Sequence, residues 1–502
     1  MTASKKLVVI GGGFGAIASA LRAKKMGFDV TIFDKAAKLG GKAQVYTRGK
    51  FKHDAGPTVI TAPFLIDELF ELFNKKRADY IQLIRLTTWY QFRFSDSTLF
   101  NYGGSIDDTL AEIEKISPLD KKGYLSLLEA SKQIYNVGFE KLATQPFHKI
   151  TTLLKSTPSM LKLKSYQSVW SLVCAHLTSN KLRQAFSIQP LLVGGNPFDT
   201  TSIYSLIHFL ERKDGIYFAK GGTGNLINAL TKLMQEQQIN IQLQQNIIAI
   251  HTDKHHQKVT GVTTENHDFF PCDYIIANTD PHYLYQYLLP KKAVHLSAKI
   301  KNRFAKKSMG LFILFFGTTK KYPDIEHHTI SLGPRYESLL RDIFDRKIVP
   351  DDFSLYLHRP TATDDSFAPE GCDSFYALVP VANLQGGQNW DVLGPKLQKR
   401  VLENLEETLL PGLTQHLDHA FYKCPKDFQQ EHHNVDGEAF SIAPLFYQSA
   451  WFRYHNQAEG VKNLFLVGAG THPGAGLPGV LSSAKVTSKL LSKVTSQTKD
   501  TV

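Results

Sequence analysis

The sequence predicts an α/β fold in which a Rossmann-like domain, assembled from separated segments, is joined to an α+β domain with a helical part. Two observations carry this prediction. A β-branched strand, a glycine turn, a helix and a second strand follow one another over residues 7–34. A second strand–glycine loop–helix pattern spans residues 463–491, near the other end of the 502-residue chain. Because strands that alternate with helices favour a parallel sheet, we expect both ends of the chain to contribute to one sheet.

The first unit, LVVIGGGFGAIASALRA (7–23), can be interpreted in three ways. A secretion signal requires an uninterrupted apolar segment, and the glycines at 11–13 break this one after four residues. A phosphate-binding P-loop requires Lys-Ser or Lys-Thr after the glycines, and neither pair follows them. A dinucleotide-binding turn fits, because the spacing is Gly11-x-Gly13-x-x-Ala16, a helix is predicted over 16–26, and the next strand ends at Asp34.

Each of these residues has a physical role in such a turn. Gly11 permits the tight bend, Gly13 lets a pyrophosphate approach bare backbone, and Ala16 is small enough for close packing of helix on strand. The helix N-terminus offers free N–H groups and a partial positive charge to the phosphates. Asp34 is placed to accept a hydrogen bond from a ribose hydroxyl.

Two further segments favour FAD over NAD as the dinucleotide. KLGGKA (38–43) contains Gly40 and Gly41, a backbone loop that can fold back over the pyrophosphate. The second unit, LVGAGTHPGAGLPGV (466–480), would hold the same nucleotide from the far end of the chain, which indicates a large cofactor. The helix that begins near Pro478 would direct its N-terminus at the flavin ring and stabilise negative charge there.

The glycine turn with its acid and the loop that follows resemble the flavin-containing amine oxidase superfamily, in the pattern Gly11, Gly13, Ala16, Asp34 and Gly40-Gly41. The motifs HDAGPTVIT (53–61), LLVGGNPF (191–198), FAKGGTGNLINAL (218–230), DDFSLYLHRP (351–360) and 466–480 are similar, more narrowly, to the bacterial-type phytoene desaturases, in order along almost the whole chain. The sequence departs from the family at Ala16, where glycine is usual, and at Lys42, where arginine is usual. Arginine can make a bidentate contact with the cofactor, whereas Lys42 is expected to make a single contact.

The resemblance implies FAD-dependent desaturation of phytoene to lycopene by successive hydride and proton removals, with a quinone or oxygen as electron acceptor. The number of steps and the substrate length stay open, so neurosporene as product, another carotene, or a thirty-carbon diapophytoene as substrate are alternatives. A more remote alternative is a non-catalytic isoprenoid-binding escort, as the GDP-dissociation inhibitors of this superfamily are. An amine oxidase would need an aromatic pair beside the flavin, and the C-terminal segment shows no obvious one.

We expect the cofactor to contact residues from both glycine loops and from the segments around them: Gly11, Gly13, Gly15, Ala16, Asp34, Lys35, Gly40, Gly41, Lys42, Pro57, Thr58, Ile248, Gly468, Gly470, Gly476, Pro478, Gly479 and Val480. The candidate catalytic residues are His472, expected beside the flavin, and His208 with Glu211, which share a helical face at a spacing of three. His472 could equally be a loop histidine bonded to backbone, and the other two a structural pair.

The chain is expected to divide into two domains. Residues 1–75, 216–290 and 455–495 would form the FAD-binding domain, 76–215 and 291–454 the substrate domain, and 496–502 a frayed tail. The longest apolar run, MGLFILFFG (309–317), is shorter than the ~20 residues that cross a membrane and predicts a buried strand.

Residues 141–198 contain seven Lys or Arg and no Asp or Glu, and apolar side chains lie between the basic ones. This combination is typical of helices that lie among acidic lipid headgroups, although a basic helical face over an ordinary core is the alternative. With a formal net charge of +12, the composition favours an anionic partner surface. We predict a cytoplasmic protein, peripheral on the inner face of the cell membrane.

Two other classes of site are not predicted. The histidines at 251, 255, 256 and 267 fall in a predicted hairpin without metal-site spacing, and the four cysteines are widely separated, so no metal is expected. No nucleic acid is expected as a partner, because the basic stretch is interleaved with apolar residues and carries no recognition signature.

Overall fold

The computed structural model describes residues 4–497. Its strands, in chain order, are β1 (Lys6–Ile10), β2 (Asp29–Phe33), β3 (Val45–Arg48), β4 (Phe51–Asp54), β5 (Leu83–Arg85), β6 (Thr88–Phe94), β7 (Leu99–Gly103), β8 (Tyr217–Ala219), β9 (Asn240–Gln242), β10 (Ile247–Thr252), β11 (Val259–Thr264), β12 (Phe269–Pro271), β13 (Tyr274–Ala277), β14 (Gly310–Thr318), β15 (His328–Leu332), β16 (Leu355–His358), β17 (Asp373–Val381), β18 (Leu417–Lys423) and β19 (Leu464–Leu466).

The α-helices, in chain order, are α1 (Phe14–Lys25), α2 (Phe64–Glu71), α3 (Ile106–Ile116), α4 (Asp120–Val137), α5 (Ile150–Lys162), α6 (Val169–His176), α7 (Asn180–Phe186), α8 (Leu206–Asp214), α9 (Gly222–Glu236), α10 (Pro281–Tyr283), α11 (Leu296–Phe304), α12 (Tyr336–Arg341), α13 (Trp390–Thr408), α14 (Leu413–His416), α15 (Pro425–His432) and α16 (Leu477–Gln497). Helix α16 runs two residues past the predicted domain limit at 495, and the rest of the predicted tail, 498–502, lies outside the described residues. No helix within residues 4–497 is long and apolar enough to cross a membrane.

The first sheet joins distant parts of the chain. Its five parallel strands lie in the order β19-β13-β1-β2-β9, so β1 is central and its residues Leu7–Ile10 are buried. Helices α1 and α16, from opposite ends of the sequence, pack against each other beside this sheet. The carboxyl ends of parallel strands form the edge where ligands bind in open α/β sheets, and both predicted glycine loops leave the sheet at that edge.

The second sheet has seven strands in the order β18-β14-β17-β16-β15-β6-β7. Strand β14 is buried along its whole length and pairs with β17 and β18, which confirms the buried strand predicted at 309–317. Helices α3–α8 lie between β7 and β8 in the sequence, and α4 packs against α8.

The segments predicted to build each domain supply the strands of separate sheets. The first sheet draws on 6–33, 240–277 and 464–466, and the second on 88–103 and 310–423. The pairing of β5 with β8 connects the two sets of segments. The exact domain limits stay a prediction.

Candidate active site

A cavity of about 1150 Å³ lies between the two sheets. It is larger than the ~300–1,000 Å³ typical of a single small-molecule site, so it has room for more than one ligand. The glycine loops line one part of it, and apolar side chains on α8 and on or beside strands of the second sheet line another: Ile207, Leu210, Met309, Leu311, Ile313, Ile330, Leu332 and Leu378.

The turn after β1 forms the polar end of the cavity. Gly11 has φ +89°, in the left-handed region that favours glycine. The backbone N–H of Gly12 donates to Asp34 Oδ2 at 2.5 Å, and Ala36 N–H donates to Asp34 Oδ1 at 2.7 Å. Helix α1 starts after Gly13, which supplies no side-chain cap, and Phe14 and Gly15 of its first turn line the cavity, so this N-terminus is a candidate anion site.

Burial raises the pKa of the Asp34 carboxyl, while the two backbone N–H groups oppose this rise. The carboxylate keeps lone pairs beyond those two bonds, so it can still accept a hydrogen bond from a hydroxyl group.

The loop at Gly40 and Gly41 folds back over this turn. Gly40 has φ +120° and its N–H donates to Gly12 O at 2.7 Å. A Cβ on Gly41 would lie 3.5 Å from Gly13 Cα, so the two loops face each other closely. The two loops therefore lie together as the sequence predicts, and a pyrophosphate held beneath the second one stays a prediction.

Asn278, which the sequence analysis missed, connects the two glycine loops. It follows β13, and its Oδ1 accepts from Ala16 N–H at 3.2 Å while its Nδ2 donates to Val467 O at 2.9 Å. A Cβ on Gly13 would lie 2.9 Å from its Oδ1, and one on Gly468 would lie 2.4 Å from its Nδ2. The available signal was a polar residue at the carboxyl end of a predicted parallel strand, IIANTD.

The C-terminal loop lines the cavity from residue 467 to 480, apart from Thr471. Helix α16 begins at Leu477, one residue before the predicted start. A Cβ on Gly479 would lie 2.5 Å from Gly474 O, so the backbone of this loop packs tightly against the helix start.

Two lysines contribute positive charge at the polar end. Lys42 Nζ donates to Ala439 O at 2.6 Å, and burial lowers its pKa to about 8 although Glu438 and Asp280 oppose the effect. Lys35 Nζ donates to Gln430 O at 2.7 Å. Both lysines line the cavity and can contact an anionic cofactor.

Of the predicted cofactor residues, all line the cavity except Ala16 and Ile248. Ala16 is fully buried inside α1, as its proposed packing role requires. Ile248 is 39% exposed, whereas its neighbour Ile247 lines the cavity, because successive side chains of a strand point to opposite faces. The expectation for Ile248 is therefore wrong by one residue.

His472 lines the cavity, and its ring is held in place. Its Nε2 is hydrogen-bonded to Leu142 O at 3.0 Å, and the ring packs on Phe147 at 4.7 Å between centroids. Burial lowers the pKa of His472 to about 4, so it is neutral near pH 7. The geometry is that of the loop histidine bonded to backbone that the sequence left as an alternative.

His208 and Glu211 share a face of α8 but have different environments. His208 does not line the cavity, and its Nδ1 is bonded to Gln189 Nε2 at 3.1 Å. Glu211 lines the cavity and accepts a hydrogen bond from Tyr90 Oη at 2.9 Å. Within the described residues 4–497, no hydrogen bond joins His208 to Glu211, so the two side chains are not an acid–base pair.

The apolar part of the cavity reaches a hydrophobic surface. Its lining includes Met160 on α5 together with Phe446 and Ala450. Around these residues several large apolar side chains are exposed: Ile150, Leu154, Leu161, Tyr166, Tyr447 and Phe452. We call this surface the α5 patch. Contiguous exposed apolar surface next to a cavity is typical of a binding site for a membrane or an apolar ligand.

The second sheet contains a buried histidine cluster. His327, His328 and His358 bring ring nitrogens within 4.8 Å of one another. Burial lowers the pKa of all three well below the usual value, so the rings are neutral. His327 Nδ1 is bonded to Thr363 and His328 Nδ1 to Tyr356. Sequence spacing did not reveal this cluster, because the pairing of β15 with β16 brings His358 beside His328.

The hairpin histidines lie elsewhere. His251 and His256 are bonded to threonine hydroxyls of their own hairpin, β10–β11. They do not line the cavity.

These features fit a bound FAD. A helix N-terminus at the cavity, glycines at which a Cβ would meet neighbouring groups, and an acid beside the turn are the requirements of its pyrophosphate and ribose. The fold and the cavity together define a dinucleotide-binding α/β protein with an apolar compartment beside the cofactor site.

Comparison with known proteins gives the family. The model of the flavin containing amine oxidoreductase family matches residues 16–491, and the chain belongs to this family. It is 41% identical over 489 residues to a phytoene desaturase (lycopene-forming) of Pantoea ananas, covering 97% of this chain and 99% of that protein. A phytoene desaturase (lycopene-forming) of Pseudescherichia vulneris is 40% identical over 497 residues, covering 97% of this chain and 99% of its own length.

A solved structure of an oxidoreductase from Methanosarcina mazei superposes with a TM-score of 0.64 at 17% identity, covering 95% of this chain and 98% of that one. Identity at this level supports the fold alone. The predicted fold class is confirmed.

Proposed function

We propose that the protein is an FAD-dependent oxidoreductase that desaturates phytoene to lycopene. The observation that carries this proposal is that the glycine loops suited to FAD and the apolar compartment line the same cavity. Relatives named lycopene-forming phytoene desaturases, 40–41% identical over almost the whole chain, support the substrate and product.

The residues of the polar end would hold the cofactor. The N-terminus of α1 and the Gly40–Gly41 loop would bind the pyrophosphate, Asp34 a ribose hydroxyl, and the loop at 468–480 the ring system. When bound, FAD supplies the two-electron acceptor of the reaction. The apolar side chains of the compartment hold the polyene chain and exclude water from it.

The substrate explains why the compartment should open onto lipid. At roughly 0.8 kcal/mol per buried carbon, a forty-carbon hydrocarbon leaving lipid for water would cost about 30 kcal/mol. Entry directly from a bilayer avoids this cost, and the α5 patch lies where the apolar lining reaches the surface. We therefore propose peripheral attachment to the inner face of the cell membrane, with a quinone or oxygen as electron acceptor.

Neutralising the basic residues of the α5 region should weaken attachment to acidic membranes. Lys149, Lys155, Lys162 and Lys164 are exposed on or beside α5. Each lysine near an anionic surface contributes roughly 1 kcal/mol, so the four-fold glutamine variant should lose most binding to anionic liposomes at low salt. Co-sedimentation measures this.

The matched control replaces four exposed lysines outside residues 141–198, namely Lys50, Lys52, Lys396 and Lys399. It has the same change in net charge and should bind nearly as the unaltered protein does. Equal losses in both variants would mean that total charge, and not the α5 region, determines binding.

The function is tested by mixing purified protein with phytoene in liposomes under anaerobic conditions. Loss of the oxidised-flavin absorption together with a longer-conjugated carotene supports desaturation. A protein that purifies without flavin and only binds the isoprenoid would instead be an escort.

A further inference from the structure

We propose that Glu211 accepts the proton released in each desaturation, and that Tyr90 positions its carboxyl group. This inference rests on the proposed function and names a residue of that same site. Glu211 lies on α8, is 1% exposed and lines the cavity beside Leu210.

The two carboxyl oxygens of Glu211 differ in their hydrogen bonding. Oε1 accepts the hydrogen bond from Tyr90 Oη at 2.9 Å. Oε2 is buried and has no hydrogen-bond partner. Buried polar atoms are nearly always paired, so an unpaired oxygen on a residue that lines the cavity requires an explanation, and a catalytic role is one that fits this position.

The other acidic residues that line the cavity are already engaged. Asp34 accepts from Gly12 and Ala36, Asp280 accepts from Ser441 Oγ at 2.5 Å, and Glu431 is paired with Lys423. Glu211 is the described acidic lining residue with a buried, unpartnered oxygen.

Burial and the neighbouring charged and titratable groups act on the Glu211 carboxyl in opposite directions. Burial raises its pKa to about 8, and the hydrogen bond from Tyr90 and the charge of Arg212 oppose the rise. Arg212 itself donates to Tyr124 Oη at 2.9 Å and lies over the ring of Trp89. The hydroxyl groups of Tyr102 and Tyr124 also interact electrostatically with the Glu211 carboxyl. Burial raises the pKa of both tyrosines, so they stay uncharged.

The Glu211 carboxylate is a much stronger base than His472, the neutral histidine that also lines the cavity. Burial lowers the pKa of His472 to about 4, whereas the pKa of Glu211 is raised to about 8. A general base is most effective when its pKa lies near the working pH, because enough of it is ionised while it still binds a proton well.

The electron balance of the step is complete with the cofactor of the proposed function. A bound FAD would accept a hydride, which is a proton with two electrons, from one C–H bond. The neighbouring C–H bond leaves its electron pair between the two carbons as the new π bond. Its proton goes to Oε2 of Glu211, which returns it to solvent before the next desaturation.

Glu211→Gln should slow flavin reduction by phytoene about 10²–10⁴-fold in single-turnover, anaerobic experiments. In the unaltered protein the rate should rise about tenfold per pH unit below pH 8 and level off above it. Tyr90→Phe removes a bond that lowers the pKa of Glu211, so the same pH limb should move to higher pH. The control is Glu129→Gln, at an exposed position on α4.

A second measurement needs no substrate. Because the folded-state pKa of Glu211 lies above the ordinary value of 4.5, ionisation in the unfolded chain disfavours folding as pH rises from about 4.5 to 8. The holoenzyme with Glu211→Gln lacks this loss, so its Tm relative to the unaltered protein should increase across that range and then stay constant. Glu129→Gln should show no such trend.

The outcomes separate the two proposals. If the unaltered protein does not reduce its flavin with phytoene, the proposed function fails. If it does, and Glu211→Gln reacts at the same rate with the same pH profile, Glu211 is not the proton acceptor. A Tm difference that does not change with pH would also overturn the assignment, because the carboxyl would then not be held protonated.

Discussion

Replacing Gly13 with leucine should abolish retention of FAD. A Cβ at this position already lies 2.9 Å from Asn278 Oδ1, so a leucine side chain would displace Asn278 and crowd the turn that is expected to hold the pyrophosphate. Gly13 has φ −73°, so leucine introduces no backbone strain and the effect reports on space alone. The purified variant should lack the absorption of oxidised flavin that we expect of the unaltered protein.

Gly27→Ala is the control for loss of a glycine as such. Gly27 lies beyond α1, has φ +90°, and a Cβ there meets nothing within 4 Å. This variant should fold with somewhat lower stability and keep stoichiometric FAD. A Gly13→Leu protein that also kept stoichiometric FAD would contradict the placement of the pyrophosphate at this turn.

Replacing Leu378 with tryptophan should block the substrate compartment and leave the cofactor in place. Leu378 lies on β17, faces the cavity, and is paired across the sheet with Ile313, which also lines it. Since the indole would occupy space needed by the polyene, and a misplacement of about 1 Å costs roughly 10²-fold in rate, we expect at least that loss. Rates of carotene formation per bound flavin measure it.

The matched control is Val392→Trp on α13, where the side chain is 53% exposed. It adds the same indole without filling the cavity and should keep full activity. Normal desaturation by Leu378→Trp would show that the substrate does not occupy the compartment between the sheets.

The local units of the first sheet could be predicted from the sequence because each one is encoded by contiguous residues. The strand at 7–10, the turn at Gly11–Gly13 and the acid at Asp34 lie within one short segment, and the hydrogen bond from Gly12 to Asp34 spans only 22 positions. The same holds for β14, whose unbroken apolar run is specific to a strand buried on both faces.

The features that escaped prediction depend on long-range pairing. Asn278 contacts Ala16 and Val467 only because β13 lies between β1 and β19 in the sheet. The hydrogen bond from Tyr90 to Glu211 joins β6 to α8 across 121 positions. Neither contact leaves a spacing signal in a single sequence. The error at Ile248 has a different origin: side chains alternate between the two faces of β10, and the neighbouring residue Ile247 is the one that lines the cavity.

The most direct test is a pigment extract from bacterial cells that accumulate colourless phytoene and produce this protein. Successive desaturations extend the conjugated system into the visible range, so we expect a red extract with the chromatogram of lycopene. A yellow extract would indicate fewer steps, with neurosporene as a product. A colourless extract from cells that contain folded, flavin-loaded protein would contradict phytoene as the substrate.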